Sequence, residues 1–183
     1  MVIQVKSEAI IMLCNNIEQV VIHKSTYSHL SVQHVKYCTF EFQGKFKCSQ
    51  YYPREKGETM TFGEGPGKIV VTNLDVQPMS EEDNFVRICR LKIDYQKDGK
   101  EESSNVKHIQ WENWPDRGVP PTKLTATNIL SEVRGTTKPI IVHCSAGIGR
   151  TGTIVAIAYV QEKMQHGVTL ASFKENVTTE IFV

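Results

Sequence analysis

Short runs of apolar, often β-branched residues recur along the chain, separated by stretches rich in glycine, proline or polar residues. Apolar runs of about four to eight residues bounded by turn-forming residues are typical of β-strands. The pattern predicts five strands, at Ala9–Cys14, Ile69–Leu74, Phe85–Ile93, Val106–Trp111 and Pro139–Cys144. The last run, PIIVHC, lacks polar alternation, which predicts a central strand covered on both faces.

Two further segments carry apolar residues at helical spacing. The first is followed by Gly135 and predicts an amphipathic helix. Its apolar positions, at i, i+3, i+4 and i+7, are Ala126, Ile129, Leu130 and Val133. The second, TIVAIAYVQEKMQHG, follows Gly152 and begins apolar on nearly all sides, so it predicts a second helix that ends at Gly167.

Interleaved strands and helices predict an α/β fold. Glycine and proline cluster at Pro53–Gly67 and Trp114–Pro121, which predicts loops at these places. A chain of 183 residues with 40% hydrophobic content can bury one core. We therefore predict a single domain over residues 1–183.

The near balance of basic and acidic residues limits which macromolecules are expected to bind the chain. The chain has 21 basic and 20 acidic residues, so neither nucleic acid nor an anionic membrane is predicted as its main partner. No apolar run approaches the roughly 18 residues that a membrane-spanning helix needs. Lys6 and Glu8 come too early for a secretory signal. We expect a cytoplasmic protein, or the cytoplasmic part of a longer one.

The cysteine pattern bears on redox state and metal binding. The five cysteines include no CxxC pair; they are Cys14, Cys38, Cys48, Cys89 and Cys144. Their odd number and spacing argue against both a disulfide framework and a zinc site, and predict a reducing compartment. The six histidines are scattered, so no metal ligand set is predicted.

The stretch IVHCSAGIGRTGT, from Ile141 to Thr153, joins a strand end to a glycine-bearing loop and a helix start. In this arrangement the loop amides and the helix N-terminus point at one concavity, which attracts anions. Arg150 can bind two oxygens of a phosphate at once, which lysine does less well. Tight turns and close approach of a ligand are expected at Gly147, Gly149 and Gly152.

Cys144 lies at the mouth of this concavity. Cysteines in such surroundings have pKa values of roughly 3.5–7.5, against about 8.5 when free. A thiolate aimed at phosphorus would be the nucleophile in hydrolysis of a phosphate ester. The structural alternative is a buried cysteine that acts as a small hydrophobe beside a ligand-free loop. Walker-type ATP binding is excluded because no Gly-Lys-Ser/Thr follows.

The decapeptide HCSAGIGRTG, which starts at His143, resembles the signature of the tyrosine-specific protein phosphatases. The segment VKHIQWENWPDRGVP, Val106–Pro120, resembles that family's mobile acid loop, and Ala9–Glu18 and Lys47–Pro53 match more loosely. The resemblance implies a twisted mixed central sheet flanked by helices, with a strand–phosphate-loop–helix active site. It also implies hydrolysis of phosphotyrosine in proteins through a phosphocysteine.

The same resemblance implies roles for individual residues. Cys144 is the nucleophile, and Asp116 is the general acid, a role worth roughly 10²–10⁴-fold in rate. His143 supports the thiolate. Thr151 donates a hydrogen bond to the thiolate and assists its release as the leaving group; it is also a candidate cap of the following helix, and the two roles are compatible. The phosphate cradle comprises Ser145, Ala146, Gly147, Ile148, Gly149 and Arg150.

Two further expectations follow from the resemblance. Trp114 belongs to the substrate-binding residues and, with Pro115, forms the hinge and packing side of the acid loop. The partner is a phosphotyrosine-containing protein, and no metal or cofactor is implied because the arginine does what a cation would do.

The chain departs from the family pattern at several places. The family's phosphotyrosine-recognition loop lies upstream of AIIMLC, where this chain begins. Thr178 stands where the first glutamine of a water-positioning loop is expected, and no glutamine lies beyond Gln165. Tyr52 replaces the tryptophan of the YWP motif. We expect a partial catalytic domain with upstream and C-terminal parts missing; the alternatives are a catalytically impaired phosphotyrosine-binding pseudophosphatase and an unstable fragment.

One segment, Val20–Gln43, has no glycine or proline and holds three of the six histidines. Without it the flanks join as IEQGKFKCSQYYP, which resembles the family's strand-turn-strand at this place. A stretch of 24 whole codons stays in frame, and we favour a retained intron as its origin. The alternative is a genuine β-rich hairpin insertion, since its Val, Ile, Tyr and Phe residues suit strands.

Overall fold

The computed structural model describes residues 1–28, 35–116, 118–165 and 167; of residues 19–28 and 35–43 it describes the backbone alone. In chain order, the strands are β1 (Ala9–Met12), β2 (Ile17–Ser28), β3 (Val35–Phe46), β4 (Thr59–Phe62), β5 (Ile69–Pro78), β6 (Val86–Lys97), β7 (Lys100–Trp111) and β8 (Ile140–His143). The helices are α1 (Val2–Val5), α2 (Thr125–Glu132) and α3 (Gly149–Gln165), with a 3₁₀ turn at Gly65–Gly67. The α/β prediction is confirmed.

Six strands form one mixed sheet in the order β4-β5-β6-β7-β1-β8. Strand β1 is buried along its length and runs parallel to both β7 and β8, whereas the other neighbours are antiparallel. The register places Met12 opposite Gln110 on one side and opposite His143 on the other. Because the carboxyl ends of parallel strands meet at one sheet edge, the segments that follow these three strands converge there.

Strands β2 and β3 form a separate antiparallel hairpin. Its pairing starts with Ile17 opposite Phe46 and reaches Ser28 opposite Val35. The segment Val20–Gln43 makes up the outer part, so its described backbone has the form that the insertion alternative expects. The origin of the segment in a retained intron stays a prediction.

The two predicted helices are present. In α2 the predicted inward positions Ala126 and Ile129 are buried, and Gly135 follows with φ +87°. Helix α3 begins at Gly149, before the predicted start, and after it Gly167 donates its N–H to the Met164 carbonyl oxygen at 3.2 Å. None of the described helices is long and apolar enough to cross a membrane.

The prediction that Pro139–Cys144 is a central strand is wrong for the described chain. Strand β8 lies at the edge of the six-stranded sheet, and Ile140 is 37% exposed. An unbroken apolar run indicates that both faces of a strand can be buried, but it does not indicate whether one or both of its edges pair with another strand. The equally apolar β1 occupies the inner place.

Other differences concern strand lengths. Strand β4 lies inside the predicted loop Pro53–Gly67, where a short run of alternately exposed and half-buried residues escaped the apolar pattern. Strands β6 and β7 extend beyond their apolar parts to a tight turn in which Asp98 (φ 52°) and Gly99 (φ 75°) are both left-handed. Such turns match the right-handed twist of paired strands, so the polar ends of β6 and β7 stay paired beyond their apolar parts.

The core includes buried side chains from the sheet and from the two longer helices. Side chains on β1, β7, α2 and α3 that are fully buried include Ile11, Met12, Trp111, Ile129 and Ile154. This packing holds the carboxyl edge of β1, β7 and β8, so the segments that leave this edge start from fixed positions.

Candidate active site

The site lies at the carboxyl edge of the three parallel strands. Strand β1 leads to Cys14, β7 leads to the loop that carries Trp114 and Asp116, and β8 leads directly to Cys144. The four residues from Ser145 to Ile148 form bends before α3 begins. The topology therefore brings both family-like motifs to one place, as the resemblance implies.

The glycines of the loop differ in what they contribute. Gly147 has φ +76°, a left-handed conformation that favours glycine, so the turn requires it. Gly149 and Gly152 lie within α3, and a Cβ atom at either position would meet nothing within 4 Å. The prediction of a tight turn thus holds at Gly147 only.

Cys144 is 9% exposed, at the floor of a loop whose residues Ser145, Ala146 and Ile148 are open to solvent. Burial raises the pKa of its thiol, but the Thr151 hydroxyl and the amides of Thr151, Gly147 and Ala146 lower it, and the pKa lies below its usual value overall. The donors around the sulfur therefore favour the thiolate.

The other cysteines with described side chains behave in the opposite way. Burial raises the pKa of Cys14 to about 12, and burial also raises the pKa of Cys48 and Cys89. Among these four thiols, a lowered pKa is found only at Cys144. This distinguishes the predicted nucleophile from structural cysteines.

Thr151 lies in the first turn of α3, next to Arg150. Its side-chain oxygen is buried and makes no hydrogen bond with any described group, although it lies close enough to Cys144 to lower the pKa of that thiol. The alternative role as the helix cap is wrong, because the helix already begins at Gly149. The remaining role for the Thr151 hydroxyl is as a hydrogen-bond donor to the Cys144 sulfur.

Arg150 forms a buried ion pair with Glu18. Its Nη1 donates to Glu18 Oε1 at 2.6 Å and its Nη2 to Glu18 Oε2 at 3.1 Å; Nη1 also donates to the Trp114 carbonyl oxygen at 3.0 Å. Burial lowers the pKa of the guanidinium, but Glu18 raises it above the usual value overall. The guanidinium is thus held as a cation beside the cradle.

Asp116 lies close to the Arg150 guanidinium. Its Oδ1 lies 3.6 Å from Arg150 Nη2, and its Oδ2 accepts a hydrogen bond of 2.5 Å from Lys47 Nζ. The Asp116 side chain is 29% exposed, which leaves it accessible from solvent. The structure therefore brings the predicted acid to the predicted cradle.

The Trp114 side chain packs into the core. It is 5% exposed, its ring packs against Trp111 at a centroid distance of 4.7 Å, and its indole N–H donates to the Gly118 carbonyl oxygen at 3.0 Å. This placement fits the predicted packing side of the acid loop. Contact with Arg150 is made by the Trp114 backbone carbonyl, and its side chain is not brought to the cradle.

His143 is linked to a second histidine through a tyrosine. The Tyr51 hydroxyl lies 2.7 Å from His143 Nε2 and 2.6 Å from His108 Nε2. Burial lowers the pKa of both histidines, to about 3 for the fully buried His108, whose pKa nearby His143 also lowers. Neutral imidazoles bridged by a hydroxyl fix the orientation of the residue that precedes Cys144.

Sequence reasoning missed Glu18 and Lys47 as site residues. Both lie at the base of the β2–β3 hairpin, where Lys47 N donates to the Asn16 carbonyl oxygen at 2.8 Å. The available signal was their position: Glu18 ends one of the two loosely matching segments and Lys47 begins the other. Thr178 and the tail Val177–Val183 lie outside the described residues.

Comparison with known proteins agrees with this geometry. The chain matches the family model "Protein-tyrosine phosphatase" over residues 1–179. It is 33% identical over 152 residues to tyrosine-protein phosphatase non-receptor type 9 of Mus musculus, covering 74% of this chain and 24% of that protein. It is 36% identical over 114 residues to protein-tyrosine-phosphatase PTP1 of Arabidopsis thaliana, covering 61% of this chain and 31% of that protein.

Solved structures show the same fold. The catalytic domain of human protein tyrosine phosphatase non-receptor type 18 matches with a TM-score of 0.66 and 25% identity, over 91% of this chain and 48% of that one. The Trypanosoma brucei phosphatase TbPTP1 matches with a TM-score of 0.66 and 26% identity, over 93% of this chain and 51% of that one. This chain spans about half the length of these solved chains. The matches confirm the predicted family and fold: the chain belongs to the protein-tyrosine phosphatase family.

Proposed function

We propose that the chain carries the catalytic centre of an enzyme that hydrolyses phosphotyrosine in proteins through a phosphocysteine intermediate. The observation that carries the proposal is the Cys144 thiol, whose pKa is lowered by the Thr151 hydroxyl and by loop amides. A thiolate surrounded by hydrogen-bond donors is a nucleophile in a pocket suited to an anion. Asp116 Oδ1 lies 3.6 Å from Arg150 Nη2, and Arg150 directly precedes Thr151 in the chain.

In the first step the Cys144 sulfur attacks phosphorus, and the bond from phosphorus to the tyrosyl oxygen breaks. The leaving oxygen takes the proton of the Asp116 carboxyl group, so that tyrosine departs neutral. Asp116 must exchange its contact with Lys47 for the leaving oxygen, which a shift of its loop would achieve. The cradle amides and Arg150 stabilise the equatorial oxygens of the transition state.

In the second step water attacks the phosphocysteine. The Asp116 carboxylate takes a proton from the water, and the bond from sulfur to phosphorus breaks. The Thr151 hydroxyl donates to the departing thiolate, which explains a buried hydroxyl without a hydrogen-bond partner among the described residues. Inorganic phosphate leaves, and Cys144 returns to its starting state.

The substrate class and compartment belong to the same proposal. A family neighbour, PTPN18, has been solved with HER2 phosphopeptides, which supports phosphotyrosine in a protein as the substrate. A nucleophilic thiolate needs a reducing environment, which supports the cytoplasm, or the cytoplasmic part of a longer protein. No metal or cofactor takes part in the proposed steps, since Arg150 and the loop amides supply the positive charge.

The test is turnover of a phosphotyrosine peptide by the full chain and by single variants. We expect activity to be abolished by Cys144→Ser and by Arg150→Ala, and Asp116→Asn to lower kcat by about 10²–10⁴-fold. Asp75→Asn is a matched control, because Asp75 pairs with Lys56 and Arg90 outside the site. Peptide binding without turnover by the unaltered, folded chain would overturn the proposal in favour of a pseudophosphatase.

A further inference from the structure

Three soft metal ligands converge behind the nucleophile loop. They are the thiol of Cys14, just beyond β1, the thiol of Cys48, and a ring nitrogen of His143, the last residue of β8. The three atoms all lie within 4.8 Å of one another. Among the residues that the structure describes, this is the one group of three or more His, Cys, Asp or Glu side chains so arranged.

The spacing is close to that of a tetrahedral zinc site. Zinc binds cysteine sulfur at about 2.3 Å and histidine nitrogen at about 2.0–2.1 Å, so its ligand atoms stand about 3.5–3.8 Å apart. Each pair in the cluster therefore has to close by about 1.3 Å at most, which side-chain rotation can supply. Thiolate and imidazole ligands bind zinc in preference to harder cations such as magnesium and calcium. Three protein ligands leave a fourth position for water.

The surroundings of His143 suit a metal ligand. Its Nε2 lies 2.7 Å from the Tyr51 hydroxyl, and its Nδ1 lies 3.4 Å from the Cys144 carbonyl oxygen. Whichever nitrogen takes the metal, the other can donate its proton to one of these oxygens. A ligating histidine almost always donates its second N–H in this way, which fixes the orientation of the ring.

The cluster also has an open side and a closed side. Cys14 is 1% exposed, whereas Cys48 is half-buried and its thiol contacts the carbonyl oxygen of the exposed Ser49 at 3.4 Å. An ion can therefore arrive on the Cys48 side, while Cys14 closes the site on the core side. Cys144 is not one of the three ligands, so binding of the ion does not require the nucleophile.

We propose that Cys14, Cys48 and His143 bind a zinc ion that stabilises the fold by tying the ends of β1 and β8 to the loop before Tyr51. Binding releases the two thiol protons to solvent and transfers no electrons, so no oxidant is needed. Absence of a CxxC pair does not conflict with this site, because the ligands come from three separate segments. The proposal does not depend on phosphatase activity.

The test uses the full chain with Cys144→Ser, which removes the nucleophile as a competing ligand. Cobalt(II) serves as the spectroscopic probe, and zinc then displaces it. We expect one equivalent of cobalt to give thiolate-to-metal charge-transfer absorption, and zinc to raise the melting temperature as any ligand specific to the folded state does. Cys14→Ser and Cys48→Ser should each weaken binding by at least about tenfold.

Cys89→Ser is the matched control, since Cys89 is a buried free thiol on β6 outside the cluster. It should leave the absorption and the affinity for cobalt unchanged. Unchanged affinity in both Cys14→Ser and Cys48→Ser, or an equal loss in Cys89→Ser, overturns the proposed ligand set. A melting temperature that zinc does not raise overturns the stabilising role. If Cys14→Ser fails to fold, the half-buried Cys48→Ser decides alone.

Discussion

Arg150 and Glu18 form a buried two-armed ion pair although 132 positions separate them in the chain. Both side chains are less than a tenth exposed, at 6% and 8%. The same guanidinium contacts the Trp114 carbonyl oxygen and lies near Asp116, so one cation joins α3, the hairpin base and the acid loop. The pair sets the orientation of the arginine before any anion arrives.

Removal of Glu18 should destabilise the protein as well as the site. Glu18→Ala leaves the Arg150 cation buried without its partner, and breaking a buried pair typically costs about 3–5 kcal/mol. Urea unfolding measures the change. Glu132→Ala is the control, because Glu132 and Lys107 form a pair that is more than a third exposed, and its loss should cost about 1 kcal/mol or less. Equal losses in the two variants would contradict the assigned role of the buried pair.

The Thr151 hydroxyl should control the ionisation of Cys144. Because this hydroxyl lowers the pKa of the thiol, Thr151→Val should move the pH dependence of Cys144 alkylation to higher pH. Iodoacetamide labelling, located by mass spectrometry, gives the profile. Thr153→Val is the control, since the Thr153 hydroxyl donates to the Gly149 carbonyl oxygen at 3.2 Å on the exposed side of the helix.

The lowered pKa of Cys144 also has a consequence for stability. The unfolded chain holds the thiol proton up to about pH 8.5, while the folded chain releases it earlier. Stability from the thiolate is therefore complete above about pH 8.5 and is lost as the pH falls through the folded-state value. Thr151→Val should narrow the pH range over which the thiolate stabilises the folded chain. An unshifted labelling profile would show that the hydroxyl does not cause the lowered pKa of Cys144.

Acid should weaken the fold through His108. Its pKa is lowered to about 3 by burial, so the unfolded chain takes up the proton first, from about pH 6.5 downward. Stability is complete above about pH 6.5 and falls by up to about 1.4 kcal/mol per pH unit below it, or about 2 kcal/mol at pH 5. Denaturant unfolding at pH 7 and pH 5 measures the difference. His108→Gln should remove most of this loss; an unaltered pH dependence would show that other groups cause it.

Deletion of Val20–Gln43 should leave the site intact. Gln19 pairs with Gly44 and Glu18 with Lys45, so joining Gln19 to Gly44 preserves the register of the hairpin base and makes a two-residue turn. The shortened chain should fold, with an unchanged pH profile of Cys144 labelling. Deletion of residues 18–45 is the control, because it joins the paired residues Ile17 and Phe46 but also removes Glu18, the partner of Arg150, and should therefore disturb the site.

Much of this architecture could be predicted because its signals are local. The spacing from Cys144 to Arg150 and the apolar runs of β1 and α2 lie within short windows, and they indicated the loop, the strand and the helix. The edge position of β8 could not be predicted, since pairing depends on which strands lie nearby and not on the composition of the strand itself.

Contacts across the fold were the other part that sequence reasoning missed. Glu18 and Lys47 reach Arg150 and Asp116 only because the hairpin base lies beside the carboxyl edge of the sheet. The direction of the Trp114 side chain depends on its packing against Trp111 in the same way. Cys14, Cys48 and His143 meet although no spacing rule joins them.

The burial of Arg150 bears on how inherited variants of this protein should be interpreted. A change of one or two kcal/mol in folding free energy can alter the cellular abundance of a protein several-fold through degradation of its unfolded form. Missense changes at Arg150 or Glu18 should therefore reduce protein level together with any activity. A change at the partly exposed Asp116 should leave normal amounts of folded protein, which under the proposed function would still bind phosphotyrosine but hydrolyse it slowly.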